Sequence, residues 1–351
     1  MANRYRLSDL KDMCRDLLAG GGVDPGDAAV VADNLLAANR RGVDSHGVIR
    51  MPLYLARLDS GLIAKKTEPK VVRESLATAV VDGQNGWGAV TSRFAMGLAI
   101  EKAAKAGVGM VGVRGSNHFG IAAYYGMMPL ERDMIGISLT NASATMAAWG
   151  GRDAYFGTNP ICICVPAGKE RPVVYDGATS VVAKGKIMVA QKKGVPIPPT
   201  WAMDKEGVPT TDANVAINGV LLPFGTYKGS GLAMAVEVLA GVLPGAAVTL
   251  EVGHLYATKS VGDVGHFFAA IDVAAFEDVV KFKTRMDRMI REVRAQRHAQ
   301  GIDRIYVPGE IEFEKEQATE GNGVEVADET IREIEKFAAK YGVKMPEPIG
   351  A

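Results

Sequence analysis

A chain of 351 residues, 48% hydrophobic and 23% charged, is long enough to bury about two ordinary globular cores without covalent staples. Its 40 basic and 40 acidic side chains cancel, so it carries no electrostatic footprint for nucleic acid or an anionic membrane surface. Three cysteines (Cys14, Cys162, Cys164), no apolar run after the first residues and no stretch approaching about 18 uninterrupted apolar residues point to a protein of the reducing cytoplasm, with no disulfide framework, membrane span or metal site.

In chain order, Leu10, Cys14, Leu17 and Leu18 recur at helical spacing, with Ser8 as N-cap. After Gly20–Gly22, Pro25 opens a second helix through Val31, Leu35 and Leu36. The segment Gly42–Arg50 interrupts it, and a third helix follows with Pro52 in its first turn. From about Pro69 the texture changes. Strands are expected at Val71–Val72, Thr78–Val81, Val108–Val113, Ile135–Thr140, Ile161–Val165, Val173–Tyr175 and Phe267–Ile271. Helices are expected at Val90–Ala106, Ser180–Lys192, Gly229–Leu243 and Glu277–Arg297, with a last one around Ile331–Tyr341. Ala247–Gly265 reads as an irregular loop. Cys162 and Cys164 should share one face of their strand. The reading is a helical domain over 1–65, joined by C-terminal helices, a mixed α/β domain over 66–310, and a C-terminal helix and tail over 311–351.

Gly107-Val-Gly109-Met-Val-Gly112 matches the GxGxxG fingerprint letter for letter. That motif has meaning only after a strand and at the start of a helix, where the helix N-terminus meets a pyrophosphate. Here a helix precedes it and a β-branched run passes through it. Gly107 is therefore a helix C-cap and the dinucleotide reading is declined.

Five other segments concentrate chemistry. Asp44-Ser45-His46-Gly47-Val48-Ile49-Arg50 with Tyr54 brings an imidazole, a hydroxyl, a guanidinium and a phenol within two turns. Ser116-Asn117-His118-Phe119-Gly120 sets polar groups just after a strand. Gly157-Thr158-Asn159-Pro160 is a turn before a buried strand. Asp176-Gly177-Ala178-Thr179-Ser180 is expected to join a strand to a helix start, with capping hydroxyls and free N–H groups. Lys228 stands between Tyr227 and Gly229 at the start of an apolar helix. Each has a bland alternative: His46 as a capping histidine, Arg50 as a surface partner of Asp44, Lys228 as a solvated charge. Jointly they supply what reduction of a 2-oxo acid needs: a cation for the carboxylate (Arg50), a proton donor (His46) and a place for phosphate (Thr179–Ser180). His254, His266 and His298 read as structural or exposed.

These segments, in this order from Arg41 to Glu310, resemble the malate/L-lactate dehydrogenase family, which includes ureidoglycolate, L-sulfolactate and 2,3-diketo-L-gulonate oxidoreductases and piperideine-2-carboxylate reductase. The carrying motifs are DSHGVIR, SNHFG, GTNP, D-x-ATS, PFGTYKGSGLAM and VPGE. The resemblance implies a non-Rossmann fold, a helical domain plus a mixed sheet flanked by helices, in a homodimer with the site near the subunit interface. It implies an NAD- or NADP-dependent oxidoreductase acting on a small 2-hydroxy or 2-oxo acid. His46 is then the proton donor and His118 the base described for some members, while Ser45, Arg50, Tyr54 and Asn117 face the acid. Cofactor contacts fall on Tyr175, Asp176, Gly177, Ala178, Thr179, Ser180, Val181, Tyr227, Lys228, Gly229, Pro308, Gly309 and Glu310. Gly177 departs from the methionine many members carry. Rival readings are a cyclic imine reductase and a dinucleotide-binding protein without turnover.

Overall fold

The computed structural model describes residues 2–257 and 259–350. The helices Leu7–Gly20 and Pro25–Arg40 open the chain. The second begins where Asp24 accepts hydrogen bonds from the N–H groups of Gly26 and Asp27, with Pro25 in the first turn. The first does not start at Ser8. Arg6 holds the capping position, and the Ser8 hydroxyl donates to Asp9 instead.

Leu10, Cys14, Leu17 and Leu18 are buried against Val31, Leu35, Leu36 and Leu55. The end of the chain returns to this core. The strand Val324–Ala327 pairs antiparallel with Ala2–Tyr5, and the helix Asp328–Tyr341 adds Ile331, Ile334 and Ala338. The helix Glu310–Asn322, which the sequence reading missed, leads into that return.

The middle of the chain builds a mixed sheet. In spatial order its strands are Lys70–Glu74, Thr78–Asp82, Val108–Ser116, Val264–Asp272, Met134–Thr140, Ile161–Val165 and Val173–Gly177. Only the Thr78–Asp82 and Val108–Ser116 pair is parallel, and the helix Gly88–Ala106 is its crossover. The GxGxxG segment therefore leaves that helix rather than entering it. Gly107 is the C-cap, with φ +80°, and a Cβ on Gly109 would lie 2.0 Å from the Ala99 carbonyl oxygen. The glycines serve helix-on-strand packing. Cys162 and Cys164 share one buried face, their sulfurs 3.5 Å apart over Gly126.

A smaller four-stranded sheet joins Met146–Ala147, Ala154–Phe156, Ala202–Met203 and Val220–Leu221. Against it packs the helix Lys184–Lys193, which starts four residues later than the sequence reading placed it. The apolar helix Tyr227–Val236 continues as a wider π turn through Glu237–Val242. The helix expected over Glu277–Arg297 spans Val279–Arg294, capped by Asp278. Among the described residues no helix is long and apolar enough to cross a membrane, and no group of three or more His, Cys, Asp or Glu could hold a metal ion.

Candidate active site

After the helix Pro25–Arg40 the chain makes two short 3₁₀ turns, Asp44–His46 and Val48–Arg50, and enters the helix Met51–Asp59. Asn39, buried on the last helical turn, shapes this path. Its amide donates to Asp44 Oδ1 at 2.6 Å, and its carbonyl oxygen accepts from the Val48 N–H at 2.8 Å. The loop closes so tightly over it that a Cβ on Gly47 would lie 2.1 Å from Asn39 Oδ1. The result is a fixed set of groups. Ser45 Oγ is 2.9 Å from His46 Nδ1, and Arg50 Nε donates to the Ser45 carbonyl at 2.7 Å.

The second segment arrives from the end of the strand Val108–Ser116. The His118 ring stacks on His46, with centroids 5.5 Å apart and planes 20° apart. Its Nδ1 is 2.7 Å from the Tyr54 hydroxyl. Gly120 takes φ +80°, and a Cβ there would lie 1.9 Å from Asn34 Oδ1. Asn34 and Asn39 on one helix thus press both histidine loops into place. Neither was singled out from the sequence, where asparagines inside a helix look neutral. Phe119 stacks at 4.7 Å on His266, whose ring nitrogens pair with Thr140 Oγ1 and Ser116 Oγ at 2.7 and 2.8 Å. Asn117, expected to face the acid, spends its amide nitrogen on Asn85 and the Gly86 carbonyl.

Electrostatics follow from this crowding. Protein packed around His46 pushes it down to about 4, with the positive Arg50 acting in the same direction. Burial, then the neighbouring His46 and Arg50, hold His118 well below the usual histidine range. Both imidazoles are neutral near pH 7. Burial raises the Tyr54 phenol, which stays protonated. Asp44 is turned to Asn39, and among the described residues no carboxylate lies within 4.0 Å of the Arg50 guanidinium. The surface ion pair with Asp44 is therefore excluded.

Arg57 was also missed. It follows Arg50 and Tyr54 at the four- and three-residue spacing of one helix face. Only 2% exposed, it donates to the carbonyls of Leu255, Ala257 and Ser260 at 3.3, 2.9 and 3.4 Å. These residues lie in the Ala247–Gly265 segment, which the sequence presents as an irregular loop. A cavity of about 790 Å³ opens along that loop, lined among others by Ser143, Gly245, His254, Val261 and Asp263.

The three segments expected to hold a cofactor converge on one strip of chain. The Val174 N–H donates to the Pro308 carbonyl at 2.9 Å, and Gly309, with φ +96°, packs flat on Val174. The Phe224 N–H donates to the Thr179 carbonyl at 3.0 Å, and Gly229 lies so close that a Cβ would be 2.8 Å from that same oxygen. One expectation fails. Thr179 and Ser180 do not start a helix, because the chain here bridges to Pro223 and the Val181 N–H goes to Leu222. The Thr179 hydroxyl donates to Thr158 O and the Ser180 hydroxyl to Val182 O, so neither is free for phosphate. Glu310 is likewise committed, accepting from the Val307 N–H at 2.7 Å and pairing with Arg294.

What is open here suits a dinucleotide. Lys228 is exposed in the first turn of the helix Tyr227–Val236, and among the described residues no carboxylate lies within 4.0 Å of it. A cation at a helix N-terminus fits a pyrophosphate, and the exposed rings of Tyr175 and Tyr227 flank the strip. The Tyr175 hydroxyl sits 2.8 Å from where a Cβ on Gly177 would be, so the ring occupies the space a side chain at 177 would take. Asp176 ties the strip to the histidines. It accepts from the Ala123 N–H at 2.8 Å, just past His118, and crowding pushes it up to about 6. Asn159 of the GTNP turn braces the helix by donating to Ala233 O and to the buried Glu237.

A mixed sheet, two stacked imidazoles beside an arginine with no carboxylate partner among the described residues, and a glycine-lined strip make up the candidate site. The family model for malate/L-lactate dehydrogenase matches residues 5–335, and the chain belongs to that family. The L-sulfolactate dehydrogenase of Methanocaldococcus jannaschii is 39% identical over 97% of both chains, and its solved structure superposes with a TM-score of 0.93. The structure of malate dehydrogenase from Entamoeba histolytica gives a TM-score of 0.95 at 34% identity, covering 99% of this chain and 100% of that one. The ureidoglycolate dehydrogenase (NAD(+)) of Escherichia coli is 32% identical over 91% of both chains. The fold expectation, non-Rossmann and sulfolactate dehydrogenase-like, holds.

Proposed function

We propose that this chain is an NAD- or NADP-dependent dehydrogenase of a small 2-hydroxy acid, working in the cytoplasm as a homodimer. The observation that carries the reading is Arg50, a guanidinium with no carboxylate partner among the described residues, held beside the stacked His46 and His118. Such a cation suits the carboxylate of a substrate. A bound nicotinamide would exchange hydride with the substrate C2, its dinucleotide held by Lys228, Gly229 and the strip Tyr175–Val181.

The protein's own part is to hold the acid and move a proton. Ser45 fixes the His46 ring through Nδ1, leaving Nε2 to face the reacting oxygen. In oxidation the neutral ring takes the hydroxyl proton. In reduction it returns a proton to the carbonyl oxygen, and the carboxylate at Arg50 offsets the charge that disfavours the imidazolium. His118, fixed by Tyr54, shields one face of His46.

The homodimer draws support from the helix after Lys228, where Leu232, Met234, Val238, Val242 and Leu243 stand exposed. One assay tests the function: NADH and NADPH crossed with pyruvate, oxaloacetate, 3-sulfopyruvate and piperideine-2-carboxylate. Turnover of a 2-oxo acid supports the proposal. Turnover of the cyclic imine alone assigns the reductase alternative, and cofactor binding without any turnover assigns a binding protein.

A further inference from the structure

The Ala247–Gly265 segment has no role in the reading above, yet its tip reaches the arginine on which that reading rests. Arg50 Nη1 donates to the Tyr256 hydroxyl at 2.7 Å, and the guanidinium carbon lies 5.9 Å from the centre of the Tyr256 ring. Nε is spent on Ser45. A carboxylate must then approach the terminal nitrogens, and a phenol already sits on one of them. Two outcomes are possible in principle. Either the tyrosine is displaced by the acid, or it stays and contacts the acid.

The fastening of the loop decides for the second. Arg57, on the same helix face as Arg50, grips the carbonyls on both sides of Tyr256, those of Leu255 and Ala257, and that of Ser260 further on. The Tyr256 N–H donates to His254 Nδ1 at 3.3 Å, and the Ala257 N–H to the His254 carbonyl at 2.9 Å. The base is pinched where the Gly253 N–H donates to the Gly262 carbonyl at 2.9 Å. A buried guanidinium gripping main-chain oxygens is costly to release, because the loop would leave it unsatisfied. The Tyr256 oxygen accepts from a cation, which polarises its own O–H. That O–H has no acceptor among the described residues, so it is available to donate.

We propose that Tyr256 is a substrate-binding residue: its hydroxyl donates to the carboxylate that Arg50 holds, and Arg57 is the positioning residue that keeps it there. The inference rests on the acid-binding reading of Arg50. It makes the loop the part of the protein that sets which acids fit.

The test is Tyr256→Phe, which keeps the ring and removes the hydroxyl on a side chain 58% exposed. Steady-state kinetics are read on the best 2-oxo acid, and oxamate affinity is measured by calorimetry on the protein saturated with NADH or NADPH. The expected result is a KM and an oxamate Kd raised about ten- to hundredfold, as for loss of a hydrogen bond to a charged group, with kcat and cofactor Kd within about threefold. A KM and oxamate Kd within about twofold of the parent overturn the proposal. A double-mutant cycle with Arg57→Met separates positioning from mere folding. Arg57→Met should raise KM in the parent and scarcely further in Tyr256→Phe, whereas an equal rise in both backgrounds overturns the positioning role. If oxamate fails to bind even the parent and Arg50→Lys changes nothing, the acid-binding reading itself has failed.

Discussion

The two regions of the site are held by different means. Around Asp44–Arg57 and Ser116–Gly120, buried side chains do the holding: Asn39 under Gly47, Asn34 against Gly120, Arg57 under the Leu255–Ser260 loop. Around Tyr175–Val181, Tyr227–Gly229 and Pro308–Glu310 the holding is mostly main chain to main chain, with glycines permitting the approach. A surface that must aim a proton needs side chains fixed in angle. A cradle for a long cofactor needs only a backbone of the right shape and one free cation.

That contrast can be broken by five measurements. The largest effect is expected for His46→Ala. Loss of a general acid should lower kcat by about 10²–10⁴-fold while the Kd for NADH stays put. If His118→Ala abolishes turnover and His46→Ala does not, the two histidines exchange roles.

The next concerns pH. His46 is lowered to about 4 in the free protein, against an ordinary value of about 6.5. Reduction needs the protonated ring, so its kcat/KM should fall by up to about tenfold per unit as pH rises above about 4. Oxidation needs the neutral ring, and its kcat/KM should stay level down to about 4. Stability follows the same sign. The unfolded chain takes up the proton first, so the contribution of His46 is complete above about 6.5 and is lost as pH falls toward 4. A reduction profile that falls above about pH 4 beside an oxidation profile that stays level sharpens the assignment, and parallel profiles remove His46 from it.

Arg50→Lys keeps the charge and loses the planar fork. A fall of about 10–100-fold in kcat/KM is expected, with no change in melting temperature beyond a degree or two. Normal kinetics would remove the main reason for an acidic substrate. A smaller effect belongs to Asn39→Ala, which strands the Val48 N–H and frees Asp44. It should cost about 1–3 kcal/mol, lowering Tm by several degrees, and lower kcat with it. The matching change across the site, Thr179→Val, should leave cofactor affinity nearly intact, because that hydroxyl already donates to Thr158. A large loss of affinity there would erase the contrast between the regions.

How far the sequence could be read follows the same division. Periodicity placed the helices around Leu10–Leu18 and Ile331–Tyr341 and the strands of the central sheet, and segment order sufficed to decline Gly107–Gly112. The residue types at His46, Arg50 and His118 were visible because each is unusual between glycines. Arg57 obeyed a visible spacing, but an arginine on a helix reads as solvated until a loop about 200 residues away covers it. Thr179–Ser180 was misread as a helix start because the partner that captures it, Pro223, is remote in sequence. Tyr256 gave no signal, since irregular segments have no period to betray what they touch.

The pinch between Gly253 and Gly262 has a consequence for how such proteins diversify. The strand Val264–Asp272 that follows is paired on both edges from His266 to Ile271, to Val108–Ser116 and to Met134–Thr140. A loop closed at its own base, rooted in the middle of the sheet, is a cassette. Its tip can be lengthened, shortened or exchanged in evolution or in the laboratory while the register of the strands on either side stays locked. Grafting the corresponding loop from a relative with a different acid is therefore the most direct route to transferring its preference without rebuilding the histidine pair or the cofactor strip.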